Sequence, residues 1–224
     1  MPAGRFEAAV DRRQGPGYPP AMPAPSDVLV LASGSPRRRD LLGAAGVAFE
    51  TIPPRVEEKA APGEAPDGMV TRLACEKALE VAHRVGPEPE RIVLGSDTIV
   101  VLDGEVLGKP EDPAHALAML TRLAGRSHRV LTGVAVVSSR ELVPHSLFRS
   151  STVTLRPAGR DELERYVATG EPLDKAGSYA YQGEGRRFVV SVDGSESNVI
   201  GLPVDPALAL VAQVRAACGM THDR

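Results

Sequence analysis

The stretch VLVLASGSPRRRDLL, residues 28–42, puts a strand and a helix next to each other and decides the fold class. Its first four residues are apolar and half of them are β-branched, a composition that predicts a buried strand. Ser35 followed by Pro36 fits an N-cap with proline at the first helical position, so we predict a helix over about residues 36–45. A strand that runs through a short loop into a helix is the building unit of an α/β fold.

The rest of the chain continues this alternation of strands and helices. The pair Asp103-Gly104 predicts a hairpin that joins a long apolar strand, interrupted at residues 95–97, to a short one. Asp67 predicts the N-cap of a second helix, and Asp112-Pro113 predicts the start of a third, which Gly125 ends. We expect further strands over about residues 47–52, 92–102, 105–107, 129–138, 147–155 and 188–192, and helices over about 67–84, 160–169 and from 206 onward.

The composition is that of a soluble globular protein. The chain has 224 residues, 42% hydrophobic and 25% charged, and a formal net charge of −3. This excludes disorder throughout, and it argues against a nucleic acid polymer as partner because phosphate contacts require a basic excess. No apolar run approaches the roughly 20 residues of a membrane span, and no secretory signal is recognisable, so we expect no membrane partner and a cytoplasmic location. Cys75 and Cys218 are too few for a disulfide framework.

Three segments are expected along the chain. Residues 1–26 contain six prolines and three glycines without apolar periodicity. Such a segment cannot bury enough apolar surface to fold. We therefore expect a flexible Pro-rich extension over residues 1–26, a single α/β domain over residues 27–218, and a short C-terminal tail over residues 219–224.

Three arginines crowd the first turn of the first predicted helix: Arg37, Arg38 and Arg39. Each is unfavourable there by about 0.3–1 kcal/mol, because the helix dipole is positive at that end. A bound anion would make the arginines favourable at this position. Ser33 and Ser35 add hydroxyls and open backbone N–H groups at the same helix start, where phosphates bind. The pattern favours a phosphate-binding loop over a solvated basic turn.

Three charged residues interrupt apolar patterns or follow a turn. Lys77 takes the i+7 position of the apolar stripe that begins at Val70, so its ammonium either snorkels to solvent or points into a cleft. Asp97 lies inside a nearly apolar strand, where it is a general base, a Mg²⁺ ligand or a structural side chain bonded to the backbone. Lys109 follows the hairpin in a run one residue too short for a P-loop, and we expect it to reach back toward Asp97.

A Gly-rich stretch over residues 173–185 contains Lys175 and Gln182. The amide of Gln182 has the donor and acceptor needed to read a base edge. A surface hairpin is the alternative, and the stretch taken alone favours it. The histidines and cysteines show no metal-ligand spacing, and neither a G-x-S-x-G elbow nor a G-x-G-x-x-G fingerprint is present. A serine hydrolase and a dinucleotide dehydrogenase are therefore disfavoured.

Taken together, these segments resemble the Maf family of nucleoside triphosphate pyrophosphatases, formerly called septum formation inhibitors. The matching runs are LASGSPRRRDLL at 31–42, VEE at 56–58, RLACEKA at 72–78, GSDTIVVLDGEVLGKP at 95–110, GRSHRVLTGVAV at 125–136, GEPLDKAGSYAYQGEG at 170–185 and VDGSESNVIGLPV at 192–204. The resemblance implies a Maf/ITPase-like fold, with a curved mixed central sheet and two flanking α/β lobes around a central cleft, and commonly a homodimer. It also implies cleavage between the α- and β-phosphates, dependent on Mg²⁺ or Mn²⁺, that yields a nucleoside monophosphate and pyrophosphate.

The resemblance extends to individual positions. It implies that Asp97, Glu58 and Lys77 are catalytic. Glu58 and Asp97 are the implied ligands of the divalent metal, and Asp97 also orients or deprotonates the attacking water. The implied substrate-binding residues are Ser33, Ser35, Arg37, Arg38, Lys109, Thr98 and Gln182, to which we add Lys175 from the Gly-rich stretch.

The substrate preference is carried by the run Tyr179-Ala-Tyr-Gln182-Gly183. It is similar to the subgroup that acts on dTTP, UTP and modified pyrimidine nucleotides, and Arg37, Thr98 and Gln182 fall at positions tied to that preference. Two alternatives stay open: a 7-methyl-GTP-type pyrophosphatase, and a nucleotide-binding regulator of septum formation that acts through a protein partner. The resemblance also leaves open whether the protein removes aberrant nucleotides (housecleaning) or regulates a normal pool.

Overall fold

The computed structural model describes residues 28–220, so the predicted extension over 1–26 and residues 221–224 of the predicted tail lie outside the described part of the chain. The helices and strands, in chain order, are β1 (Leu29–Ala32), α1 (Pro36–Ala44), β2 (Phe49–Thr51), α2 (Pro66–Val85), β3 (Ile92–Leu102), β4 (Glu105–Leu107), α3 (Pro113–Leu123), β5 (Ser127–Ser138), β6 (His145–Leu155), α4 (Arg160–Ala168), β7 (Val189–Asp193), α5 (Glu196–Ile200) and α6 (Val204–Ala217). Between α4 and β7 the chain forms 3₁₀ turns at Glu171–Asp174, Ala176–Ser178 and Glu184–Phe188.

The strands form one mixed sheet in the order β2-β1-β3-β5-β6-β7, with β4 paired to β3. β1 is parallel to β2 and to β3, because α1 and α2 return the chain to the starting edge, and the other pairs are antiparallel. β5 covers one edge of β3 from Ile92 to Val101. On the other edge, β1 pairs with residues 93–95 and β4 with residues 100–102. Residues 96–99 of β3 therefore lie in a gap between these two partners.

The helix α2 covers one face of the sheet at very close range. A Cβ added to Gly95 of β3 would lie 2.4 Å from the Ala74 carbonyl oxygen, and one added to Gly133 of β5 would lie 2.1 Å from the Val70 carbonyl oxygen. Only glycine permits this approach. Side chains on α2 therefore reach the middle of β3 directly.

The opposite face of the sheet is covered by two separate apolar clusters. Ile92 and Leu94, in the first half of β3, pack with residues of α1 and α6. Val100 and Leu102, in the second half, pack with α3, α4 and the 3₁₀ turns, around the buried rings of Tyr166 and Phe188. Because side chains alternate along a strand, residues 96 and 98 lie on this face between the two clusters, and Asp97 lies on the α2 face.

The structure confirms the predicted α/β class and the mixed sheet flanked by helices, and it corrects two local predictions. The strand β3 is continuous through residues 95–97, because β5 pairs with it residue by residue along this length. Asp67 is not an N-cap: α2 begins at Pro66 after Ala65, and Asp67 lies in the first turn, where its charge complements the helix dipole. The short helix α5 was not predicted, since five residues are too few for a periodic pattern.

The C-terminal end of the described chain stays attached to the domain. The backbone N–H of Met220 donates to the Arg215 carbonyl oxygen at 2.8 Å, and its side chain packs against the cluster of α1 and α6. Met220 thus lies on the domain, although the predicted tail begins at residue 219. Within residues 28–220, no helix has both the length and the apolar character needed to cross a membrane.

Candidate active site

A cavity of about 650 Å³ opens at the gap in the edge of β3. Its wall combines the β1–α1 loop, the loop before α2, the middle of α2, the gap in β3, the residues after β4, and the segment around the 3₁₀ turns. Elements far apart in sequence meet here because β1 and β4 leave residues 96–99 of β3 without a strand partner on this edge. The cavity is therefore a consequence of the sheet topology.

Three side chains predicted to be catalytic meet in this cavity. Lys77 Nζ lies 2.6 Å from Asp97 Oδ1 and 2.5 Å from Glu58 Oε1. Lys77 and Asp97 are almost fully buried, whereas the Glu58 side chain is 41% exposed. The ammonium thus bridges two carboxylates, which explains why a lysine takes a core-facing position of α2.

Lys109 completes this charged cluster from the residues after β4. Its Nζ donates to Glu58 Oε2 at 2.9 Å. The sequence predicts that Lys109 reaches toward Asp97, whereas in the structure it binds Glu58. Its connection to Asp97 is indirect, because Glu58 binds Lys77 and Lys77 binds Asp97. Partial burial raises the pKa of Glu58, but the ammonium groups of Lys77 and Lys109 lower it more, and the pKa falls to about 2.

The β1–α1 loop supplies the predicted phosphate-binding residues. Ser35 takes the N-cap position of α1, but its hydroxyl makes no capping bond. The Ser35 backbone N–H instead donates to Ser33 Oγ at 3.1 Å. Both serines and Arg37 line the cavity, and among residues 28–220 Arg37 has no hydrogen bond or ion pair to another side chain. Arg37 is therefore the cation of this loop that is available to an anion.

The guanidinium of Arg38 is hydrogen-bonded to other groups of the protein. Its Nε donates to the Gly201 carbonyl oxygen at 2.7 Å, and Nη2 donates to Thr98 Oγ1 at 3.0 Å. Nη1 lies 3.4 Å from Ser33 Oγ. Burial lowers the pKa of this guanidinium, while Asp97 and Glu58 act in the opposite direction. Arg38 thus links α1, β3 and the end of α5 at the rim of the cavity.

The two predicted residues of the Gly-rich stretch have different positions. Lys175 lines the cavity, where its Nζ donates to the Glu171 carbonyl oxygen at 3.1 Å and pairs with Asp174. Gln182 is exposed and is not part of the cavity wall. Its role in reading a base stays a prediction.

A family model described as Maf-like protein matches residues 28–214, which covers most of the chain. The chain belongs to this family. Similar proteins include the dTTP/UTP pyrophosphatase of Burkholderia thailandensis, 47% identical over 216 residues, which cover 92% of this chain and 99% of that protein. The dTTP/UTP pyrophosphatase of Symbiobacterium thermophilum is 48% identical over 186 residues, 83% of this chain and 93% of that protein. That of Alkalilimnicola ehrlichii is 48% identical over 186 residues, 82% of this chain and 91% of that protein.

The carboxylates of this Maf-like protein have the chemistry of a divalent metal site. Mg²⁺ and Mn²⁺ prefer oxygen ligands, and Mg²⁺ commonly binds through one or two carboxylates together with substrate phosphates. Glu58 and Asp97 approach the same Lys77 nitrogen, so their oxygen atoms lie close together at the cavity. Among the described residues, no group of three acidic, histidine or cysteine side chains forms a metal site of its own. The pair therefore suits a metal that is shared with a phosphate substrate.

Gly201 is a site residue of the Maf-like fold that the sequence analysis did not identify. Its carbonyl oxygen accepts from Arg38 Nε and from Ser96 Oγ, at 2.7 and 3.1 Å. Its φ of +131° favours glycine, and a Cβ there would lie 3.5 Å from Arg38 Nε. The only local signal is a glycine before Leu-Pro, which indicates a helix end and not a contact 163 residues away along the chain.

Proposed function

We propose that this protein hydrolyses dTTP and UTP between the α- and β-phosphates. Water supplies the oxygen that forms the new bond to the α-phosphorus, the bridging oxygen leaves with pyrophosphate, and one proton is released. The observation that carries the proposal is the Lys77 ammonium held between Glu58 and Asp97 in the cavity. The names of relatives 47–48% identical over most of the chain support the choice of substrate.

The cavity has the charge distribution that a triphosphate requires. Arg37 projects from the first turn of α1, where the helix dipole adds positive potential. Lys77 and Lys109 supply two ammonium groups, each bonded to one oxygen of Glu58. Preorganised cations of this kind stabilise the charge that develops on the leaving pyrophosphate. Ser33 and Ser35 add hydroxyl groups at the same loop.

In this proposal Asp97 orients the attacking water and receives its proton. Its Oδ1 is held by Lys77, and among residues 28–220 Oδ2 accepts no hydrogen bond. Oδ2 is therefore available to a water molecule at the gap in β3. The Lys77 ammonium compensates the buried charge, so the carboxylate is kept in one orientation.

We also propose that Glu58 and Asp97 hold a divalent cation, Mg²⁺ or Mn²⁺. When bound, it polarises the α-phosphate and offsets the charge of the pyrophosphate. Glu58 suits this role because its pKa of about 2 keeps it an anion at any physiological pH. Lys109 then holds the second oxygen of Glu58 in place.

No observation favours the alternatives, a 7-methyl-GTP-type pyrophosphatase or a regulator of septum formation. The homodimer, the cytoplasmic location and the base-reading role of Gln182 stay predictions. Light scattering of the purified protein tests the dimer, and cell fractionation tests the location.

The test of the proposed function is pyrophosphate release from dTTP, UTP, CTP, 7-methyl-GTP and the purine triphosphates with Mg²⁺ or Mn²⁺. We expect release from dTTP and UTP, and a loss of at least about 100-fold in kcat for Asp97→Asn. Chelation of the metal is expected to abolish release. Binding of dTTP without pyrophosphate release by the wild-type protein would overturn the proposal in favour of the regulator.

A further inference from the structure

We infer that Glu171 is a positioning residue for the nucleoside half of the cavity. Its carboxylate holds the segment 175–185, from which Lys175 and Tyr179 reach the cavity wall. The inference rests on the proposed function, because it assigns a role in binding the same substrate. Glu171 itself is not part of the cavity wall, so it acts through the segment that it holds.

The Glu171 carboxylate is a three-way acceptor. Oε1 accepts from the backbone N–H of Glu184 at 3.0 Å. Oε2 accepts from the backbone N–H of Gly185 at 2.9 Å and from the Tyr166 hydroxyl at 2.7 Å. Burial raises the pKa of Glu171, but these hydrogen-bond donors lower it by more, so the pKa lies below its ordinary value. This is expected for a carboxylate that accepts several hydrogen bonds. The ionised form therefore holds the far end of the segment.

Tyr166 extends this contact to the middle of the segment. Its ring is fully buried, and its hydroxyl accepts from the Ala180 backbone N–H at 3.0 Å while it donates to Glu171. Ala180 directly follows Tyr179. Tyr166 and Glu171 thus hold the backbone at Ala180, Glu184 and Gly185, directly after the residue that lines the cavity.

Two glycines make room for these contacts of Glu171 and Tyr166. A Cβ on Gly183 would lie 2.0 Å from Glu171 Oε1, and one on Gly185 would lie 2.4 Å from the Tyr166 hydroxyl oxygen. Gly183 also has a φ of +152°. Gly183 therefore serves the approach of the backbone to Glu171 and Gly185 its approach to Tyr166, which the sequence pattern alone did not show.

The segment lies apart from the charged cluster. Tyr179 packs with Val100 and Val199 in the apolar cluster on the sheet face opposite α2, whereas Lys77 and Asp97 meet on the α2 face. An apolar wall suits a base or sugar, and the charged cluster suits phosphates. Loss of the Glu171 contacts is therefore expected to weaken nucleotide binding and to leave the chemical step intact.

The test is Glu171→Gln, with KM and kcat measured for dTTP and Kd measured for α,β-methylene-dTTP, which cannot release pyrophosphate. The amide offers one acceptor oxygen and presents N–H groups toward the backbone donors. We expect KM and Kd to rise about tenfold and kcat to change by less than about twofold. Hydrogen exchange at Ala180, Glu184 and Gly185 is expected to accelerate. Tyr166→Phe, which keeps the ring and removes the hydroxyl, is expected to act in the same direction if the Gln variant does not fold.

Glu164→Gln is the matched control, because Glu164 forms an exposed pair with Arg160 on α4 and does not line the cavity. A merely structural role of Glu171 lowers the active fraction, and hence apparent kcat, at unchanged KM. Faster exchange with unchanged KM and Kd would overturn the inference. If wild-type protein releases no pyrophosphate, the proposed function fails, while the analogue Kd of the two variants still decides the role of Glu171.

Discussion

Lys77 Nζ lies 2.6 Å from Asp97 Oδ1, and the two side chains are only 4% and 7% exposed. Each charge depends on the other, because an ion left alone in an apolar environment is far more unfavourable than the pair. The same ammonium binds Glu58, which reaches the cavity from a loop. In the proposed mechanism, stability and catalysis thus depend on the same contact.

Lys77→Met, compared with a double variant, separates the contribution of the Lys77–Asp97 contact to stability from its contribution to catalysis. The variant leaves Asp97 buried without its partner, so we expect the free energy of unfolding in urea to fall by about 3–5 kcal/mol and kcat to fall by about 10²- to 10³-fold. In Lys77→Met/Asp97→Asn, both charges are removed, so part of the stability returns while activity stays lost. Equal stability of the single and double variants would contradict a coupled pair. Lys59→Met, which removes an exposed lysine paired with Glu57, is the control.

Arg37 and Arg38, in the first turn of α1, are expected to differ in whether their replacement lowers activity alone or activity and stability together. Within residues 28–220 Arg37 forms no hydrogen bond or ion pair with another side chain, so Arg37→Gln should raise KM or lower kcat at least about tenfold with a change in unfolding free energy below about 0.5 kcal/mol. Arg38 holds Gly201 and Thr98, so Arg38→Gln should lower activity and also destabilise the fold by about 1–3 kcal/mol. Pyrophosphate release and urea titrations measure both quantities. A stability loss in the Arg37 variant as large as that of the Arg38 variant would contradict this division of roles.

Local patterns in the sequence predicted the elements and the unusual side chains, but not their partners. The i+7 position of Lys77 predicted an ammonium that either snorkels to solvent or points into a cleft, and the position of Asp97 within a strand predicted a carboxylate in the interior. Neither the helical nor the strand period specifies Glu58, which lies in a loop, or the contact of Lys109 with it. Gly201 is brought to Arg38 only by tertiary packing. The gap in β3 depends on which strands share an edge, and no local period carries that information.

Gly95 is predicted to control the position of α2 and hence of Lys77. The Cβ of Gly95→Ala would lie 2.4 Å from the Ala74 carbonyl oxygen, so α2 must move away from the sheet. We expect a loss of about 1–3 kcal/mol in unfolding free energy and a fall in kcat, because Lys77 moves with the helix. Gly43→Ala in α1 meets nothing within 4 Å and is the control, with an expected gain of about 0.5–1 kcal/mol. A Gly95→Ala variant as stable and active as wild type would show that α2 adjusts without displacing Lys77.

His128 is expected to set the acid limit of stability. It is 3% exposed, its Nε2 lies 2.8 Å from the Tyr179 hydroxyl oxygen, and within residues 28–220 its Nδ1 has no hydrogen-bond partner. Burial lowers its pKa from 6.5 to about 4 in the folded protein. The unfolded chain therefore binds the proton more readily, so stability is complete above pH 6.5 and is lost as the pH falls toward 4.

This loss amounts to about 3 kcal/mol at most, on the scale of 1.36 kcal/mol for each pH unit between the two pKa values. His128→Gln, which cannot take up a proton in this range, should be less stable than wild type at pH 7.5 and lose less stability on acidification. Urea titrations at intervals from pH 7.5 to pH 4.5 measure the slope, and His115→Gln on the exposed end of α3 is the control. A wild-type slope that persists in His128→Gln would assign the acid sensitivity to other groups.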